Sequence, residues 1–147
     1  MDYNDKLKLE NQLSFPLYAA SRMVVRQYRP YLEALDLTYT QYIVMMVLWA
    51  DTKMSVKDLG EKLYLDSGTL TPVLKSMEKK GFIRRYRSSE DERVLIAELT
   101  EQGKQLQTEV ANVPEKMASC IQLDAQESGD LYTLLYKILE MLQAEQK

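Results

Sequence analysis

Leu65-Asp66-Ser67-Gly68-Thr69-Leu70-Thr71-Pro72-Val73-Leu74-Lys75-Ser76-Met77-Glu78-Lys79-Lys80-Gly81-Phe82-Ile83-Arg84-Arg85-Tyr86-Arg87 changes its hydrophobic period at Gly81. Before that glycine, Leu70, Leu74 and Met77 recur at i, i+4 and i+7, which is one face of a helix over about 67–80. Asp66 suits its N-cap and Gly81 its C′ position. The other face carries Ser67, Thr71, Pro72, Lys75 and Lys79. After Gly81, residues 82–87 and 93–99 read as two short strands, joined by the polar run Ser88-Ser89-Glu90-Asp91-Glu92. Upstream, Ser55 and Asp58 have capping-box spacing, and Val56, Leu59 and Leu63 mark a helix over 56–63. Two short helices, a tight turn and a basic hairpin make a helix-turn-helix with a wing. The fold class is therefore mainly α, an α+β winged helix-turn-helix.

Working outward, Thr38 and Gln41 form another capping-box pair, ahead of a helix over 39–50 that is apolar nearly all round. It should lie at the centre of the core. Phe15 to Gln27 reads as helix with Pro16 in its first turn. Pro30 is expected to end it, with a further short helix over Tyr31–Leu35. Thr100 caps a helix whose stripe is Leu106, Val110, Val113 and Met117, interrupted by Pro114. Asp124 and Glu127 cap a last helix with a broad face of Leu131, Leu134, Leu135, Ile138, Leu139 and Leu142. That face is wider than one core needs. The expectation is one domain over 1–147, with 38–99 as the DNA-binding part and 1–37 and 100–147 as dimerisation helices. A two-fold homodimer would set two reading helices ~34 Å apart on a palindromic duplex.

Composition narrows the chemistry. The chain has 147 residues, no histidine, one cysteine and a net charge of −3. Without histidine there is no Ser-His-Asp triad and no His-bearing zinc or haem site. One cysteine makes neither an intrachain disulfide nor a thiolate metal cluster. The longest apolar run, Ile43 to Ala50, is far shorter than the ~20 residues that span a bilayer. Met1 to Glu10 is too polar for a signal peptide. These features lead us to expect a cytoplasmic protein with no enzyme activity, cofactor, metal or membrane partner.

The net charge hides a pattern. Residues 53–93 hold ten Lys/Arg against seven Asp/Glu, while 94–147 hold four against nine. A basic cluster on an acidic protein points to a local polyanion site. The hydroxyls of Ser67, Thr69 and Thr71, at the start of the reading helix, suit base edges in a major groove about 12 Å wide. Lys75 suits phosphate. Arg84, Arg85, Arg87 and Arg93 on the wing suit a narrow minor groove. Asp91, two residues before Arg93, is placed to hold that arginine in one pose. A winged module that binds only protein would not need so many arginines.

These residues also carry a resemblance. Leu65-Asp66-Ser67-Gly68-Thr69-Leu70-Thr71-Pro72, followed by Asp91-Glu92-Arg93 and Leu99-Thr100-Glu101-Gln102-Gly103, resembles the MarR family of transcriptional regulators. With Leu9-Glu10-Asn11-Gln12-Leu13-Ser14-Phe15, it looks like the organic hydroperoxide resistance regulator (OhrR) branch. The resemblance implies a homodimeric repressor that leaves DNA when a thiol is oxidised. In that branch the sensing cysteine follows Asn-Gln-Leu, and here the position is Ser14. The tyrosines that surround the sensor match Tyr18, Tyr28 and Tyr39, and Cys120 lies where two-cysteine members carry a resolving thiol.

Read without the resemblance, Ser14 is an N-cap, the tyrosines are core or interface aromatics, and Cys120 is a buried, inert thiol. A thiol at position 14 would feel the positive end of a helix dipole and become more acidic. Serine cannot form the nucleophile that peroxide oxidises. Two origins of Ser14 stay open: a Cys→Ser replacement that locks the reduced form, or a natural relative sensing something else. The alternative function is a MarR-type repressor released by a small phenolic or apolar acid.

Overall fold

The computed structural model describes residues 2–145. After a one-turn helix α1 (Tyr3–Lys6) and a 3-10 turn over Leu9–Asn11 come the long α2 (Ser14–Glu33) and α3 (Tyr39–Asp51). Strand β1 (Lys53–Ser55), α4 (Val56–Leu63), α5 (Ser67–Lys79), β2 (Ile83–Arg87), β3 (Leu95–Leu99) and α6 (Glu101–Glu109) follow. The chain ends with α7 (Val113–Ala118) and α8 (Ala125–Glu145). It forms two compact units, one up to Val113 and one from Pro114.

In the first unit α3 is the central helix. Val44, Met45 and Leu48 on α3, Leu59 on α4, and Leu70, Leu74 and Met77 on α5 have no measurable exposure. The capping box before α3 is complete: Gln41 N–H donates to Thr38 Oγ1 at 3.2 Å, and Thr38 N–H donates to Gln41 Oε1 at 3.1 Å. Three helix ends close with the paired backbone bonds of a Schellman motif, from C″ to C3 and from C′ to C2. The C′ residues are Asp36, Tyr64 and Gly81, all at positive φ. Only the third announced itself by being glycine. Gly103 answers a different need. A Cβ there would run into the Phe82 carbonyl and sit 2.8 Å from Leu99 Cδ1, so α6 approaches the sheet as only glycine allows.

Three expectations change. Pro30 does not end the second helix, which runs on to Glu33, so Tyr31–Leu35 is not a separate element. Proline removes one backbone donor near the C-terminal end, and one more turn survives because Leu32, 1% exposed, anchors it. The sheet has three strands, in the order β1-β3-β2, not two. β1 pairs antiparallel with β3, Met54 opposite Ala97, and at three residues is too short to show a period. Finally, the helix after Thr100 is broken, α6 stopping at Glu109 and α7 starting at Val113, with Pro114 in its first turn.

In the second unit, Asp124 and Glu127 cap α8 reciprocally at 2.8 and 3.1 Å. No residue of α8 is buried, and Leu131, Leu134 and Leu142 are about half exposed, at 47%, 56% and 53%. Among the described residues, no helix is long and apolar enough to cross a membrane.

Candidate functional site

Helix α5 opens on Asp66, whose Oδ1 accepts the Thr69 N–H at 2.7 Å. That bond holds the carboxyl below its ordinary range, so the cap is charged at neutral pH. Ser67, Gly68 and Thr69 are exposed in the first turn, and Lys75 is exposed two turns on. Thr71 is half-buried and spends its hydroxyl proton on the Ser67 carbonyl at 2.6 Å, so its oxygen is left as an acceptor only.

Strand alternation splits the wing arginines. Arg84 and Tyr86 share one face. Arg84 Nε donates to Glu98 Oε2 at 2.6 Å, its guanidinium lies 5.1 Å from the Tyr86 ring centre, and the Tyr86 hydroxyl donates to Glu98 Oε1 at 2.9 Å. Arg84 thereby holds Glu98 below the usual carboxylate range. Arg85 points the other way. Its side chain is only 16% exposed and pairs with Glu78 of α5 at 3.2 Å, while its backbone N–H donates to the same carboxylate at 2.9 Å. Arg85 Nε is buried without a partner. Arg85 therefore ties the wing to α5 and offers little to a polyanion.

Arg87 and Arg93 lie at the open end. Asp91 grips Arg93 three ways: backbone N–H to Oδ1 at 3.0 Å, Nε to Oδ1 at 3.0 Å and Nη2 to Oδ2 at 3.1 Å. The Arg93 side chain is nonetheless 90% exposed. Its hydrogen bonds lower the Asp91 carboxyl and raise the Arg93 guanidinium, so both stay charged across ordinary pH. The arrangement ties one cation to a carboxylate while leaving it almost entirely in solvent.

Ser14 is the first residue of α2, and the cap position is Leu13, which makes no side-chain cap bond. Ser14 is thus exposed inside the first turn rather than capping it. Tyr18, 60% exposed, lies one turn on beneath the Arg22 guanidinium at 5.1 Å. Tyr28 and Tyr39 do meet, ring centres 4.9 Å apart. Tyr42 joins them at 5.8 Å from Tyr28 and continues the cluster to Trp49 at 6.4 Å. Sequence reasoning missed those two, although Tyr39, Tyr42 and Trp49 have helical spacing. Burial, and then the neighbouring Tyr28, push the pKa of the Tyr39 and Tyr42 hydroxyls above the ordinary tyrosine value, making both weaker acids. Fourteen residues of helix separate Ser14 from Tyr28, about 21 Å, so one chain does not bring the two ends together. A cleft of ≈ 610 Å³ lies beside the tyrosines, lined in part by Arg22, Val25, Arg26 and Arg29. Cys120 is exposed, its thiol 3.6 Å from the Lys116 carbonyl, rather than buried. Among the described residues, no cluster of three or more Cys, Asp or Glu could hold a metal.

Comparison with known proteins supplies the context. A family model described as transcriptional regulator SarA/Rot matches residues 26–110. The organic hydroperoxide resistance transcriptional regulator of Bacillus subtilis is 46% identical over 138 residues, 94% of each chain. AbfR of Staphylococcus epidermidis, solved reduced and bound to DNA, is 34% identical with a TM-score of 0.78, covering 95% of this chain and 96% of that one. The overoxidised form of AbfR, also bound to DNA, is 35% identical with a TM-score of 0.76, covering 96% and 99%.

Proposed function

Because this chain belongs to the MarR family of winged-helix transcriptional regulators, in its organic hydroperoxide resistance branch, we propose that it is a homodimeric repressor of the thiol-oxidation class in which serine stands at the sensing position. The observation that carries the DNA-binding half is the Asp91–Arg93 grip, a solvent-exposed cation held in place at the wing of a helix-turn-helix. In this reading α5 enters the major groove with Ser67, Thr69 and Thr71 foremost, and Lys75 and Arg87 meet phosphate. Arg93 enters the minor groove. Arg85 acts inside the protein, paired with Glu78, while Arg84 pairs with Glu98 at the surface, its side chain 65% exposed.

The dimer follows from what one chain leaves uncovered. Leu13, Leu17 and Tyr18 at the start of α2, and the leucine face of α8, are too apolar to stay in water. Residues 1–37 and 100–147 therefore supply the dimer contact, and 38–99 the DNA contact. A second copy is also what could bring Ser14 and Tyr18 near a Tyr28–Tyr39 pair, since within one chain the helix keeps them apart. With cysteine at position 14, a thiolate would attack a hydroperoxide oxygen, forming a sulfenic acid and releasing the alcohol. Serine stops at the first step, because its hydroxyl gives no comparable nucleophile at neutral pH. The role is binding rather than catalysis, and it is exercised on the chromosome in the cytoplasm.

The ≈ 610 Å³ cleft favours one second reading, release by a small apolar acid, since it sets arginines beside tyrosine rings. Titration of a fluorescent palindromic duplex tests the main proposal. Affinity should fall linearly in log–log form as salt rises, by about 0.9 per phosphate neutralised. Salt-independent binding, or none, refutes it.

A further inference from the structure

Among the described residues Gln41 is the buried polar side chain of the core, 4% exposed, and its amide bonds to Thr38, Ser76 and Lys80. Its Oε1 accepts the Thr38 N–H at 3.1 Å and Lys80 Nζ at 3.0 Å. Its Nε2 donates to Ser76 Oγ on α5 at 3.1 Å. Lys80 Nζ donates in addition to the Asp36 carbonyl at 2.7 Å, in the α2–α3 turn. Thr38 is the residue before Tyr39, whose ring packs on Tyr28. One amide therefore joins the tyrosine cluster, the turn beside it and the reading helix. Leu70, Leu74 and Met77 also hold α5 in the core, but apolar contacts tolerate sliding, whereas a buried amide fixes one register or leaves a donor unpaired.

We propose that Gln41 is a positioning residue that couples the Tyr28–Tyr39 pair to helix α5, so that a disturbance at the tyrosines changes how α5 holds DNA. The inference rests on α5 being the DNA-reading helix. Displacing Tyr39 drags Thr38, Thr38 pulls on Gln41 Oε1, and the other end of the same amide moves Ser76.

The test is a double-mutant cycle in the chain as it stands. Tyr28→Ala disturbs the pair, with Tyr28→Leu in its place if the alanine variant does not fold, and Ser76→Ala cuts the link. Two readouts are taken: amide hydrogen exchange over 67–79, and affinity for a palindromic duplex selected from a random-sequence pool. With Ser76 present, Tyr28→Ala should speed exchange in α5 and weaken duplex binding, each by roughly tenfold. With Ser76→Ala, both responses should shrink to less than about twofold, and Ser76→Thr, which keeps the hydroxyl, should restore them. A merely structural serine would lower stability yet leave the response to Tyr28→Ala intact. Equal responses with and without the Ser76 hydroxyl, or no response of α5 to Tyr28→Ala, overturn the proposal. If the chain binds no duplex, the repressor reading fails, and hydrogen exchange alone still decides the coupling.

Discussion

Asp91→Ala should weaken DNA binding although Asp91 brings a negative charge toward a polyanion. Coulomb's law alone predicts the opposite sign. The structure supplies the reason: Asp91 makes three hydrogen bonds to Arg93, whose side chain is otherwise 90% in solvent. Without them Arg93 must be ordered at the moment of binding, which for one long side chain corresponds to roughly two- to tenfold in Kd. Arg93→Ala removes the contact itself and should cost more, roughly five- to a hundredfold. The decisive variant is the double one. Once Arg93 is gone, removing Asp91 deletes only a repulsive charge, so Asp91→Ala should then leave binding unchanged or tighten it slightly. Fluorescence anisotropy at fixed salt measures all four affinities, and thermal melts should coincide because so exposed a pair adds little to folding. If Asp91→Ala weakens binding equally in both backgrounds, Asp91 does not act through Arg93 and the reasoning is wrong.

Further outcomes follow from the core and the caps. Thr38→Ala removes half of the capping box and should cost about 0.5–2 kcal/mol in urea unfolding; no loss would mean that Gln41 alone holds the start of α3. Leu74→Ala, at a position with no exposure, should cost about 2–5 kcal/mol, and a loss under 1 kcal/mol would show a loosely packed core. The Tyr39 and Tyr42 hydroxyls keep their protons more tightly folded than unfolded. Their contribution is thus whole below pH 10 and is lost as pH rises through the raised folded values. Tyr42→Phe removes one of these ionisations, so its urea midpoint should fall less between pH 8 and pH 11 than that of the parent; an equal fall would remove Tyr42 from the account.

The legible parts of the fold are those whose causes are local. Asp66, Thr38, Thr100 and Asp124 each cap a helix through a backbone N–H within three residues, so spacing alone finds them. Leu70, Leu74 and Met77 declare the buried face of α5 by period. What stayed hidden depends on distant partners. Pro30 looks like a stop until Leu32 is seen anchoring the turn beyond it. Tyr64 and Asp36 occupy left-handed positions that sequence assigns to glycine or asparagine. Arg84, Arg85 and Arg87 are alike in sequence, yet Glu98 and Glu78 tie up the first two, and only the fold brings those carboxylates near. The resemblance groups Ser14, Tyr18, Tyr28 and Tyr39, yet within one chain Ser14 and Tyr18 lie in the first turns of α2, while Tyr28, further along it, packs on Tyr39 at the start of α3.

Position 14 decides whether a hydroperoxide can release the protein from DNA. The parent chain and Ser14→Cys are each bound to the same labelled palindromic duplex, and an organic hydroperoxide is added in excess. Both should bind before addition, and only Ser14→Cys should release the duplex afterwards. Continued binding by Ser14→Cys, or release of the parent serine chain, would contradict the claim that this is a thiol-oxidation repressor lacking its thiol.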